Sequence, residues 1–294
     1  LSAIGVCLIY RNQQETHVTP NNESHPMYEE SPAFGYDAPE VQDHYTGREF
    51  GQVSVYFKDS LKPGMDVLDC GCGPGTLTLG LAQAVDPGQA TGIDIESGMV
   101  EKANALANER GIKNVEFRVD DITDLSFPNN SFDLVFASAV LEHLPDPVVA
   151  LREVRRVLKP GGTTVIINTD WGDPLISPES DDIRRFFELF EAGFNRYGGS
   201  LNRGRHLRLM MREAGLDVTE FQAYYGSSAT PETIRYTVGG YVSWMKNFRI
   251  FDEAVALGEV DRATLDKMAE NMLKWSDNPD AFVAMGRCTA IGVK

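Results

Sequence analysis

The sequence predicts an α/β fold built on a mostly parallel sheet, and three observations carry that expectation. Residues 65–70 read as a short buried strand and residues 74–85 as a helix, with Gly71, Gly73 and Gly75 in the turn between them. Beyond this unit, strand-like and helix-like segments alternate, the pattern of parallel strands joined by crossover helices. The 294 residues, 42% apolar and 24% charged, suffice for one or two globular domains with a sizeable core.

In the first unit, Val67 and Leu68 lead to Asp69, and Leu77, Leu81, Ala82 and Val85 recur with helical spacing. Glycine in the turn permits positive φ and lets a ligand come closer than a Cβ would allow. Strand, glycine turn and helix N-terminus in that order form a nucleotide-type cradle. The dinucleotide fingerprint G-x-G-x-x-G nevertheless fails in both registers. Its third glycine position holds Thr76 when counted from Gly71 and Thr78 when counted from Gly73. Asp69 stands just before the turn, where an acid suits a cation better than a pyrophosphate.

The run D-C-G-C-G-P-G-T at residues 69–76 resembles the first motif of the Rossmann-like (class I) S-adenosylmethionine-dependent methyltransferases. The resemblance implies a Rossmann-like, mostly parallel seven-stranded sheet flanked by helices. It also implies an N-terminal helical lid and a helical cap inserted before the last strand. The implied cofactor is S-adenosylmethionine, leaving S-adenosylhomocysteine as product, with no metal. Asp69, Gly71, Gly73 and Gly75 are then cofactor-binding residues.

Taken in order, residues 1–33 are expected to be a poorly ordered extension. Their first ten residues are apolar but too short to span a bilayer and lack a basic leader, and Pro20, Pro26 and Pro32 punctuate a polar stretch. The expectation is neither signal peptide nor membrane anchor, and a cytoplasmic protein. Residues 34–62 are aromatic-rich, with a helix expected over 39–60. By the resemblance this segment is a lid, with Tyr45 facing the cofactor and His44 a candidate base. It reads equally as a helix docked through Phe50, Val53 and Phe57. Residues 63–294 form the expected methyltransferase domain.

After the glycine turn, residues 90–95 read as a second strand ending in Asp94, about 20 residues on, where a ribose-binding acid is expected. Charge-assisted hydrogen bonds of that kind contribute about 1.5–3 kcal/mol each. Ile95 joins it as a cofactor contact. Ser97 is expected to cap a helix over 97–110 that Gly111 stops. Met99 either touches the adenine face or packs. A third strand over 114–119 leads to Asp120, Asp121 and Ile122. The resemblance gives Asp121 the adenine amine and the Ile122 N–H a ring nitrogen. Asp120 stands where the family has glycine, so the carboxylate role can shift by one residue.

A fourth strand over 134–137 ends at Ala137, and A-S-A-V-L-E-H-L-P-D (137–146) resembles the loop facing the methionine end of the cofactor. L-R-E-V-R-R-V-L-K-P-G-G (151–162) matches the helix and turn before a fifth strand over 163–169. Beyond Asp170 the resemblance thins. Helices are expected over 181–197 and 202–214, a strand over 216–225, a helical excursion over 231–275 and a last strand over 281–293. Cap segments are set at 178–200 and 229–277. His143, Trp171, Tyr241 and Trp244 are the acceptor-site candidates, although the cap aromatics read equally as the excursion's own core. His143 is also the candidate catalytic base, against a purely structural role.

The formal net charge of −16 disfavours nucleic acid and anionic membrane as partners. Arg203, Arg205, Arg208 and Arg212 cluster but read as a solvated helix face. Of four cysteines, Cys70 and Cys72 are spaced too closely for a C-x-x-C site, so no metal is expected. The function implied is methyl transfer to an O, N or C nucleophile of a small, apolar or aromatic metabolite. It is similar to the ubiquinone/menaquinone C-methyltransferase type. The alternatives are a cofactor-binding protein without that activity and, disfavoured by the failed fingerprint, an NAD-dependent dehydrogenase. Nothing in the sequence speaks to oligomeric state.

Overall fold

Residues 50–294 are described by a computed structural model. Their strands are β1 (Asp66–Cys70), β2 (Gln89–Asp94), β3 (Val115–Val119), β4 (Phe132–Ser138), β5 (Leu158–Ser177), β6 (Asp217–Ser228) and β7 (Phe282–Val293). They form one seven-stranded sheet in the order β3-β2-β1-β4-β5-β7-β6. β1 to β5 run parallel, and β7 is antiparallel to both β5 and β6. This is the α/β architecture expected from the motifs.

The central strand shows why. Val67, Leu68 and Cys70 of β1 are fully buried, as a parallel strand covered on both faces requires. On one face, Val67 packs with Leu81 and Val85 of α2 (Thr76–Val85) and with Phe57 near α1 (Phe50–Ser54). On the other, Leu68 packs with Leu151 and Val154 of α4 (Pro147–Val157) and Leu207 of α6 (Arg203–Glu213). α4 starts where Asp146 accepts the Val148 N–H and Pro147 opens the first turn.

Three expectations need correction. The helix expected to reach residue 60 ends at Ser54, and only a short 3-10 turn (Lys58–Ser60) follows. The chain turns there so that Phe57 is buried between Phe50 (6.3 Å) and Phe136 (5.1 Å). Residues 39–49 of that helix lie outside the described residues. Ser97 lies inside α3 (Ser97–Arg110), whose N-cap position is Glu96. Asp94 organises that turn by accepting the Glu96 N–H at 3.0 Å, while Gly111 ends the helix at φ 66° as expected. Finally, β5 continues well past residue 169. Beyond a register shift between Asp170 and Leu175, it runs on against the start of β7 as an antiparallel ribbon.

That ribbon carries a second core. α5 (Asp181–Arg196), α7 (Pro231–Asn247), α8 (Arg249–Ala256) and α9 (Arg262–Trp275) pack together with Ile176 of β5 and Val283 and Met285 of β7. α5 supplies Ile183, Phe186, Phe190 and Phe194 from one face and is capped by Ser180, which accepts the Ile183 N–H. Phe186 stacks on Tyr241 at 4.8 Å and on Phe251 at 5.8 Å, and Phe190 stacks on Trp244 at 5.5 Å. The rings of Tyr241 (3% exposed) and Trp244 (4%) therefore belong to the cap's own core. Among the described residues no helix is long and apolar enough to cross a membrane.

Candidate functional site

The C-terminal ends of β3, β2, β1 and β4 lie side by side. At about 4.8 Å per strand they define a trough about 15 Å long. At its centre the chain leaves β1 through Gly71 (φ 70°), Gly73 (φ 51°) and Gly75 (φ 84°). A Cβ on Gly71 would come 2.4 Å from Val140, and one on Gly75 would come 2.8 Å from Phe117 and 2.9 Å from Ala103. A Cβ on Gly73 would meet nothing within 4 Å. Two of the glycines admit their neighbours, and the third borders open space.

The turn is held from below and beside. Asp69, 2% exposed, accepts the Thr78 hydroxyl at 2.6 Å and ties the strand end to α2. The Gly71 and Cys72 N–H groups donate to the Ile93 carbonyl, and the Gly73 N–H donates to Asp94 at 2.8 Å. Burial pushes the Asp94 carboxyl up, against the pull of the N–H groups of Glu96, Gly73 and Ile95. A carboxylate has about four acceptor positions, so both oxygens retain capacity for hydroxyl donors. Ile95 beside it is 40% exposed, whereas Met99 is buried in the first turn of α3.

At the β3 end the two aspartates separate. Asp120 uses both oxygens internally, on the Asp121 N–H (3.0 Å) and on Ser126 (2.7 Å to its hydroxyl). Asp121 engages only Oδ1, with the N–H and hydroxyl of Thr123, each at 2.8 Å. Its Oδ2 and the Ile122 N–H have no hydrogen-bond partner among the described residues. An open acceptor and an open donor therefore sit side by side, complementary to the amine and ring nitrogen of an adenine edge. Sequence reasoning missed what fixes them. Glu153 of α4 accepts the Leu125 N–H, and Arg156 donates to the carbonyls of Leu125 and Phe127, both at 2.7 Å. The available signal was the E-x-x-R spacing on that helix.

At the β4 end, Ala137 is buried one residue short of the strand's tip, and Ala139 adopts a left-handed φ of 60°. The turn Leu141–His143 follows. His143 lies 5.1 Å from Phe194 of α5, and burial pushes its imidazole down to about 4. That leaves a neutral ring and a weak base. Buried Glu142 accepts the Asn168 side-chain amide, and its carbonyl accepts the Ser200 N–H at 2.8 Å, tying this turn to β5 and the cap.

Trp171 is half-buried against Phe190 (5.5 Å) and Trp244 (6.0 Å). It borders a shallow cleft of about 170 Å³ with Arg184, Glu188 and Glu191. His44 and Tyr45 lie outside the described residues. Cys70, Cys72 and Cys288 are buried free thiols, and burial raises all three, which makes them poor nucleophiles. No group of three or more His, Cys, Asp or Glu residues able to hold a metal ion occurs among the described residues.

A family described as "Methyltransferase domain" matches residues 61–214. An uncharacterised methyltransferase of Schizosaccharomyces pombe is 36% identical over 161 residues, covering 53% of this chain and 58% of that protein. A demethylmenaquinone methyltransferase of Lactococcus lactis is 40% identical over 128 residues, covering 43% and 48%. The chain thus spans about half the length of the curated relatives it matches. Among solved structures, that of the [4+2]-cyclase SpnF aligns with a TM-score of 0.54 at 23% identity, covering 85% of this chain and 84% of that one. That likeness is one of fold alone.

Proposed function

Because the chain belongs to the methyltransferase-domain family, we propose that it transfers a methyl group from S-adenosylmethionine to an O, N or C nucleophile of a small, apolar or aromatic metabolite. One observation carries the reading. The open Asp121 Oδ2 and Ile122 N–H stand in line with Asp94 and with the uncrowded Gly73, in the order that an adenine, a ribose and a methionine tail require.

In this reading Asp121 and Ile122 hold the adenine edge, Asp94 accepts the ribose hydroxyls, and Ile95 and Met99 supply the apolar flank. The turn from Gly71 to Gly75 lets the backbone approach the tail, and the charge of Asp69 beneath it favours an ammonium. When bound, the cofactor supplies a methyl on a sulfonium, which passes to the acceptor by in-line displacement and leaves S-adenosylhomocysteine. The chain's own part is placement. Orientation alone supplies up to about 7–11 kcal/mol in well-aligned cases. His143, neutral and packed on Phe194, positions the turn after β4 and is too weak a base to take the acceptor's proton. An acceptor that is already ionised needs none.

Residues 63–294 act as one methyltransferase domain in which cap segments 178–200 and 229–277 choose the acceptor, and Trp171 at the ribbon's root borders that choice. The charge of −16 favours a small molecule over nucleic acid, and the buried free thiols accord with a reducing, cytoplasmic setting.

Calorimetry with S-adenosylhomocysteine tests the donor site. The native chain should bind it, and Asp94→Ala should weaken binding tenfold or more. Unchanged affinity in the variant would sink the ribose assignment. Labelled methyl groups offered with a cell extract should appear in its small-molecule fraction, and label in protein or nucleic acid would overturn the choice of acceptor.

A further inference from the structure

β7 is built from apolar and small residues except at its centre, where F-V-A-M-G-R-C-T-A-I-G-V carries Arg287. The strand lies between β5 and β6, with Thr169 opposite Arg287 on one side and Tyr224 on the other. Side chains alternate along a strand, so Arg287 shares a face with Thr289 and Ile291. Ile291 packs with Phe57 and Phe136 on the α1 side of the sheet. On that face Ile167 of β5 pairs with Ser138 at the tip of β4, and Thr289 pairs with Ile167. Arg287 is therefore two strand spacings, about 10 Å, across from β4 and two residues beyond the parallel edge. It stands beyond the β4 end of the trough, with its stem turned toward β6.

Along β7 no other residue is charged. Its stem crosses β6 at Gly226, where a Cβ would meet Nε at 3.0 Å. The residue is half-buried and makes no ion pair or hydrogen bond among the described residues. Its register partner on β6 is Tyr224, whose ring stacks on Tyr56 at 4.3 Å. Burial raises the Tyr224 phenol, and the Thr289 hydroxyl and the Arg287 charge draw it back down. Asp170, on the adjacent strand, faces the other side of the sheet, where its carboxylate is taken by the Arg205 N–H (2.8 Å) and guanidinium (2.9 Å). The chain carries 43 acidic and 27 basic residues, yet among the described residues no carboxylate pairs with this half-buried guanidinium. Such a group is costly to desolvate alone and recovers that cost from a bidentate anion.

We propose that Arg287, beside Tyr224 on the neighbouring strand, receives a carboxylate of the methyl acceptor and thereby selects acidic metabolites over neutral ones. The inference rests on reading the trough as the methyl-donor site, since that reading puts the acceptor beside the tip of β4. It deepens the proposed function from an apolar or aromatic metabolite to one with an aromatic or apolar body and an acidic end.

The test uses benzoate and benzamide, probes of one size that differ in charge, titrated into the native chain with and without S-adenosylhomocysteine and followed by ligand-observed NMR. Benzoate should bind at least tenfold more tightly than benzamide. Arg287→Met should abolish the preference and Arg287→Lys should keep part of it, while S-adenosylhomocysteine affinity stays unchanged in both. Benzoate binding no tighter than benzamide on the native chain would overturn the proposal, as would a preference that survives Arg287→Met. The native comparison stands whether or not the methionine variant folds. A native chain that fails to bind S-adenosylhomocysteine would sink the donor reading instead, and the benzoate titration without it still reports on Arg287.

Discussion

A single methyl group separates the glycines of the 71–75 turn. Gly75→Ala forces a Cβ to within 3 Å of Phe117 and Ala103 at a φ of 84°. It should destabilise the chain by about 2–4 kcal/mol in urea unfolding. Gly73→Ala meets no protein atom and should cost only about 1–2 kcal/mol for its left-handed backbone. It should nevertheless weaken S-adenosylhomocysteine binding tenfold or more, because its Cβ enters the space the ligand needs. The opposite ranking, with Gly73→Ala the less stable and fully competent in binding, would disprove the division of labour. At this scale the sequence was partly legible. The place of Asp94 at the tip of β2 is legible from its distance from the turn, because strand, helix and strand have nearly fixed lengths. Which oxygen of Asp120 or Asp121 stays open is not, because it depends on Ser126 and Thr123 folding back in a loop. Arg287 was invisible for a related reason. A lone arginine in a strand says nothing until the face it occupies and the absence of a carboxylate across it are known.

Among the elements, the short strands and helices of residues 65–170 follow from local pattern. Each buried run is bounded by its own turn, and every crossover except the one from β3 back to β4 connects adjacent strands. The length of β5 does not, because its second half is a strand only by pairing with β7, more than a hundred residues later. The cap aromatics had two readings in the sequence, since periodicity marks a buried face without saying what it is buried against. With Phe186 fully buried among Tyr241, Phe190 and Phe251, Phe186→Ala should cost about 3–5 kcal/mol. Its S-adenosylhomocysteine affinity should stay within twofold of native, because the rings that Phe186 touches lie within the cap core. Loss of cofactor binding in a variant that remains folded would mean that cap and trough are one cooperative site.

For the whole molecule, the clearest pH signature comes from His143. Burial holds it near 4 in the folded chain, whereas an unfolded histidine titrates near 6.5. The unfolded chain therefore binds the proton first, and stability fully present above pH 6.5 is lost as pH falls toward 4. Between pH 7 and pH 5 the loss from this group is about 2 kcal/mol. Urea unfolding of His143→Gln should show a pH dependence smaller by that amount, and an identical slope would mean that the ring is hydrated in the folded state. The raised carboxyl of Asp94 acts with the opposite sign in both proteins and cancels in the comparison. The excursion that holds α7, α8 and α9 leaves from β6 and returns on β7, with Ser228 paired to Val283, and it lies beyond the stretch matched by the family. A gene segment inserted between two paired neighbours can be lengthened, shortened or traded without moving a strand, provided its apolar face still fits α5. Under the proposed activity, lineages built this way can change their acceptor while inheriting the trough at the strand ends intact.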